Sequence, residues 1–232
     1  MGVKFSVLGG GDTIPNSFSD TFTRANTGGF WGPDWYIALA ANASGSFNSS
    51  DVWTFFQINT NHGRMKSKGT ATGGNSVGAF IIPRLPIGLF GQAQFVQARW
   101  IGGNGTVANP MRDGPAVMIS PSNADAVNCY ALIATTETSK FRLDRGCGFN
   151  NAPNIAGITP ALAANDVIRL EARPGPTSND LRIFLNGVQQ GATFIDVSAP
   201  TQSGIPGFAL TGADNGNGVK FDDWDDFSCG PL

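Results

Sequence analysis

Leu181-Arg182-Ile183-Phe184-Leu185-Asn186-Gly187-Val188 is the stretch whose reading decides the fold. Apolar Leu181, Ile183 and Leu185 alternate with Arg182 and Phe184, the period of two that turns one side of a strand toward a core. Asn186-Gly187 then supplies two residues that tolerate the positive φ of a type I′ turn, so the chain is expected to fold back as a hairpin. A second strand precedes it: within residues 165–173, Ile168, Leu170 and Ala172 share one face. The pair predicts a sheet with one buried face.

Working outward, the chain has 232 residues, room for one large β domain or two small ones. Such a chain buries about 70% of its unfolded surface and needs no disulfide or metal for stability. Two glutamates stand against fifteen aspartates, with 31 glycines and 14 prolines. Asp, Gly and Pro favour turns where Glu favours helix interiors, so many short strands and tight turns are expected. The net charge is −2 with no basic run, which excludes a phosphate-recognising surface and hence a nucleic-acid partner. No apolar stretch approaches the ~20 residues of a membrane-spanning helix. The first eleven residues carry too few large apolar side chains for a signal-peptide core, which predicts synthesis in a host cytoplasm without a signal. Cys129, Cys147 and Cys229 have no metal-binding spacing and are too few for a disulfide scaffold.

Strands are expected at 35–40, 52–58, 77–82, 92–101, 115–120, 128–134, 140–145, 167–173, 181–185, 192–197, 205–211 and 218–227, with turn signals between them. Residues 1–17 are Gly-rich and read as an arm or short strand; residues 18–232 read as one domain. The one helix competitor, residues 159–165, is too short and poorly patterned to change the class.

Several short motifs occur in order: Asp20-x-Phe22-x-Arg24-Ala25-Asn26, Trp35, Tyr130-Ala-Leu132, Phe141-Arg-Leu143, Gly204-Ile-Pro-Gly-Phe208 and Val219-Lys-Phe-Asp-Asp-Trp224. Together with the two strands above they resemble the concanavalin A-like (laminin G-like) jelly-roll family, found in bacteriophage virion proteins and in glycan-binding or glucanase modules. The resemblance implies an all-β, two-sheet antiparallel sandwich whose first strand, around Asp20–Arg24, lies beside its last, 219–227. It also implies a structural calcium ion, with Asp223 of the acidic segment Asp222-Asp-Trp-Asp-Asp226 as its side-chain ligand. Strand alternation places Phe221, Asp223, Asp225 and Phe227 on one face and Asp222, Trp224 and Asp226 on the other, unless a bulge breaks the phase. The alternative role of the segment is a charged edge strand that resists aggregation.

Glucanases of the family carry a strand of the form Glu-x-Asp-x-x-Glu, whose alternation brings the carboxyls together as retaining hydrolysis requires. This sequence has no such strand: Glu137 falls in a turn, and Glu171 is flanked on its own face by Arg169 and Arg173. His62 is the single histidine, in a polar turn, with no nucleophile elbow to accompany it. Among the aromatics, Trp35, Trp53, Trp100 and Trp224 read as core. Trp31, in the loop Phe30-Trp-Gly-Pro-Asp-Trp-Tyr36, fits no strand pattern and is the candidate ligand-binding residue. Residues 128–134 and 140–145 are expected to form a hairpin in which Ile133 faces Leu143 and Cys129 faces Cys147, within disulfide range.

The expected function is therefore a non-enzymatic bacteriophage virion protein, decorating a head or displayed on a tail. Its partners would be other virion proteins or further copies of itself, together with a cell-surface glycan. A free-standing lectin-like module and a polysaccharide hydrolase or lyase are the alternatives.

Overall fold

The computed structural model describes residues 17–26, 31–39, 56–66, 79–84, 93–103, 112–119, 129–135, 140–145, 154–158, 162–197, 204–210 and 221–232. Among them, sixteen strands form two antiparallel sheets, and there is no helix. The nine-stranded sheet runs β13 (Val188–Gln189), β12 (Asn179–Leu185), β11 (Val167–Pro174), β6 (Gln94–Gly103), β16 (Phe221–Pro231), β4 (His62–Lys66) and β3 (Phe56–Asn59). To this path β1 (Phe18–Asp20) adds on β16 and β14 (Phe194–Asp196) on β12. The seven-stranded sheet runs β10 (Asn154–Ile158), β9 (Lys140–Arg145), β8 (Tyr130–Thr135), β7 (Arg112–Ile119), β15 (Ile205–Leu210), β5 (Ala79–Pro83) and β2 (Trp35–Leu39).

The hairpin forms as its sequence dictates. Leu185 pairs with Val188 and Phe184 with Gln189, while Asn186 and Gly187 have φ of 49° and 80°. Asn186 also fastens the turn to the neighbouring strand: its Oδ1 accepts from the Val167 N–H at 2.9 Å and its Nδ2 donates to Asp166 at 2.8 Å. The ends of the described chain also meet, with Phe18 opposite Cys229 and Asp20 opposite Phe227.

The core lies between the sheets. From the nine-stranded sheet come Val96, Ala98, Ile168, Leu170, Leu181, Ile183, Trp224 and Phe227; from the other come Trp35, Ile81, Val117, Leu132, Leu143 and Phe208. Phe208 lies 5.5 Å from Trp224 and 5.1 Å from Phe227, centroid to centroid. The phase break in the acidic segment is real. Asp226 has a φ of 45°, and the register with β6 shifts between Asp225 and Ser228. Phe227 is thereby turned inward beside Trp224, away from the face that carries Asp223.

Each expected strand is present with its ends moved by a few residues, β13 is the return arm of the expected hairpin, and β4 and β10 are additions. His62, read as part of a turn, opens β4. The β8–β9 hairpin is one residue out of the expected register: Leu132, not Ile133, faces Leu143, and Ile133 faces Arg142. Four residues separate Thr135 from its partner Lys140, so the turn centre falls between two residues rather than on Thr138. A one-residue slip exchanges the faces of a strand, and this register points Leu132 and Leu143 into the core together. Cys129 is buried and disulfide-bonded, and Cys229 is a buried free thiol. Cys147, Glu137, Trp53 and residues 1–16 of the expected arm lie outside the described residues.

Candidate functional site: the open face of the nine-stranded sheet

Alternation gives the nine-stranded sheet an outer face with a definite chemistry. On β11 and β12 the positions between the core residues carry the half-buried Arg169, Arg182 and Phe184 and the buried Glu171. Register aligns them across strands. Gln97 of β6, Arg169 of β11, Phe184 of β12 and Gln189 of β13 form one row, and Phe95, Glu171 and Arg182 form the next. With strands ~4.8 Å apart, the first row is ~15 Å long. The Arg169 guanidinium lies 3.9 Å above the Phe95 ring centroid and is ion-paired to Glu171 at 2.8 Å, which fixes both planar groups on the surface.

The same face continues onto β16 and β4. Arg64 donates through Nε and an Nη to the two oxygens of Asp223, both at 2.7 Å, and stacks 3.8 Å from the centroid of Phe221. Arg99 reaches Asp225 at 3.2 Å and also pairs with Asp226; His62 Nδ1 lies 3.6 Å from Asp225. Burial raises the carboxyl of Asp225 above its usual range. Asp223, Asp225, Asp226 and Glu171 thus each have an arginine partner. Catalysis of the retaining type requires two carboxyls ~5 Å apart, one of them protonated at the working pH. An arginine partner orients a carboxylate and occupies its oxygens, which suits a fixed recognition surface.

Two expectations of site residues need correction. Trp31 is fully buried rather than presented to a ligand. Phe22, Trp35, Phe56 and Phe208 surround it with ring centroids 4.7–5.5 Å away, and Arg24 Nε donates to its carbonyl at 2.9 Å. A Gly- and Pro-rich loop has no period from which this burial is readable; it arises from contacts with distant strands. Asp223 does not fit calcium. Both its oxygens accept from the Arg64 guanidinium, so its charge is already paired. Among the described residues no group of three or more His, Cys, Asp or Glu is set out to hold a metal ion. Glu171 is paired as its sequence neighbours suggested, through Arg169.

The row Gln97–Arg169–Phe184–Gln189 escaped the sequence reading because it is assembled from four strands. The available signal was the polar half of the two clearest strands, where an arginine and a phenylalanine replace the lysines, serines and threonines of a purely solvated face.

No protein-family model and no curated protein sequence matches this chain. Solved structures do. An endo-1,3-beta-glucanase from Streptomyces sioyaensis is 12% identical with a TM-score of 0.58, covering 98% of this chain and 100% of its own. A beta-1,3-1,4-glucanase (lichenase) derived from a mouse hindgut metagenome is 12% identical with a TM-score of 0.57, covering 94% of this chain and 100% of its own. The carbohydrate recognition domain of Emp47p is also 12% identical, with a TM-score of 0.51 and coverage of 97% and 100%. At such identities the likeness concerns the fold, which hosts enzymes and sugar-binding domains alike. With its two antiparallel sheets, its paired terminal strands and these counterparts, the chain folds as a concanavalin A-like jelly roll.

Proposed function

We propose that this protein is a non-enzymatic component of a bacteriophage particle and that it binds cell-surface carbohydrate through the open face of its nine-stranded sheet. The observation that carries the binding role is the row Gln97–Arg169–Phe184–Gln189 with Phe95 and Glu171 behind it. Planar amides and guanidinium groups offer paired hydrogen bonds to vicinal hydroxyls, and a phenylalanine ring offers an apolar face to a sugar ring. Sugar is also the ligand class of the structural counterparts, one of which is a carbohydrate recognition domain. The non-enzymatic reading is supported by the arginine partners of the carboxylates on this face.

Placement on a particle rests on the resemblance to phage structural proteins of a jelly roll with a Gly-rich first segment and no Glu-x-Asp-x-x-Glu strand. A disulfide at Cys129 is in keeping with a protein that persists outside a reducing cytosol. The partners in this reading are neighbouring virion proteins or further copies of the chain. Mass spectrometry of particles purified from the encoding phage is expected to find the protein at a fixed ratio to the major capsid or tail protein. Particles that lack it, alongside free protein that still binds a glycan, would favour the free-standing lectin-like module instead. Release of reducing ends or unsaturated sugars by the purified protein would place it with the hydrolases or lyases.

A further inference from the structure

Asp113 of β7 and Asp222 of β16 approach each other across the interior, one from each sheet, and both are completely buried. Strand alternation puts Asp222 on the inner face of β16 with Trp224, and Asp113 points inward from β7 to meet them. Asp113 Oδ2 accepts a 2.9 Å hydrogen bond from Trp224 Nε1. Neither oxygen of Asp222, nor Oδ1 of Asp113, has an N–H or hydroxyl donor among the described residues. Yet the two carboxyl groups lie within hydrogen-bonding reach of each other. That contact becomes a hydrogen bond only when one carboxyl carries a proton. Two ionised carboxylates placed there would repel in a site with little water to screen them.

Among the described residues no cation compensates them. On β4 the facing residue is the buried Met65, and on β6 it is Gly103, where a Cβ would come within 1.5 Å of Asp222 Oδ1. Trp100 of β6 turns its indole N–H toward Asp222 without completing a hydrogen bond. On β16 itself the neighbouring charge is Asp223, which adds repulsion, while its partner Arg64 sits on the outer face. The arrangement of donors fits a protonated Asp222 that gives its proton to Oδ1 of Asp113, while Asp113 takes its other hydrogen bond from Trp224.

We propose that Asp113 and Asp222 share a proton across the two sheets and that its loss loosens the end of the sandwich where β7 and β16 face each other, making the fold a pH-sensitive switch. Burial supports this: it pushes the Asp113 carboxyl up to about 6 and raises Asp222 well above the usual carboxylate range. The unfolded chain releases both protons above about pH 4, whereas the folded chain keeps the one on Asp113 up to about pH 6 and the shared one on Asp222 beyond it. The stabilisation is therefore complete only below about pH 4 and falls as the pH rises, the Asp113 share being lost by about pH 6 and the Asp222 share at higher pH. Because β16 carries Asp222 inward and Asp223 outward, loosening at this end reaches the Arg64–Asp223 pair of the open face.

Urea unfolding between about pH 5 and about pH 8 tests the switch, with tryptophan fluorescence of the folded protein followed in parallel. The folding constant is expected to fall about tenfold per pH unit for each proton held by the folded state alone. Emission from Trp100 and Trp224 should shift over the same range. Asp222→Asn keeps a permanent N–H donor facing Asp113, so it should flatten both curves and be more stable than the wild type at about pH 8. Asp113→Asn serves the same purpose if the first variant folds poorly. Asp225, raised by its own burial, adds a smaller fall of the same sign that both variants keep. A wild-type stability that is flat or rises with pH would overturn the proposal, as would an unaltered slope in both variants. So would restoration of wild-type stability at the higher pH by millimolar calcium, since the pair would then hold a cation where we place the proton.

Discussion

Trp31→Ala is expected to destabilise the protein by about 3–5 kcal/mol, read as a fall in the urea midpoint at unchanged m-value. The indole is fully buried and ringed by four aromatic side chains, with centroids 4.7–5.5 Å away. Removing it leaves a cavity that rigid neighbours, two of them anchored on different sheets, cannot close. The effect extends to the open face, because Trp31 Nε1 donates to the carbonyl of Arg64 at 3.4 Å. A tryptophan serving as a sugar platform behaves in the opposite way, costing affinity while sparing stability. Stability within about 1 kcal/mol of wild type would therefore return Trp31 to the surface role that its loop sequence suggested.

Asp20→Ala is expected to be as severe, at about 3–5 kcal/mol. Asp20 is buried at the pairing of the terminal strands and accepts from four donors. These are the Phe22 N–H at 2.7 Å, Arg24 Nη1 at 2.7 Å, Arg24 Nη2 at 2.6 Å and Trp35 Nε1 at 2.7 Å. One carboxylate thus fixes a residue of positive φ, Phe22 at 51°, orients an arginine and satisfies an indole in the centre of the aromatic cluster. Alanine leaves the Phe22 N–H and the buried Trp35 indole N–H without their acceptor and the Arg24 guanidinium with only the Trp31 carbonyl, and unpaired buried donors are the costly outcome. Arg24→Met should cost less, because Asp20 keeps the Phe22 and Trp35 donors. The two variants can be compared by thermal and urea unfolding at pH 7. Equal losses would mean that the ion pair, and not the set of buried donors, carries the stabilisation.

Those two residues mark how far the sequence is legible. The 167–185 strands and the Asn186-Gly187 turn were readable because their determinants are local: a period of two and two residues suited to positive φ. The motif from Asp20 to Trp35 was recognisable as a pattern, yet its physical content is a network closed by contacts 15 residues apart, which no local rule expresses. Trp31 belongs to that network and was misjudged because a loop without periodicity carries no sign of what packs over it. The β8–β9 register failed by one residue because residues 136–139 hold no strong turn signal, and centring on Thr138 chose an odd loop. Asp223 was the residue expected to hold a cation, but its partner Arg64 is 159 positions away and arrives only when β4 and β16 pair. Asp113 and Asp222 are equally remote. Alternation placed Asp222 beside Trp224 correctly, whereas Asp113 fell outside the strand expected at 115–120 and is instead inside β7.

The open face is where fold and proposed function meet, and its row of side chains is the part of the account on which the functional reading depends. The most direct measurement is binding to an array of immobilised glycans by the wild type and by Phe184→Ala and Gln97→Ala, half-buried surface changes expected to leave the melting temperature in place. The account predicts that the wild type retains a defined set of glycans, intact after incubation, and that each variant binds them at least about tenfold more weakly, a loss of about 1.4 kcal/mol. Variants that bind as the wild type does, or glycans that are retained and shortened, would contradict it.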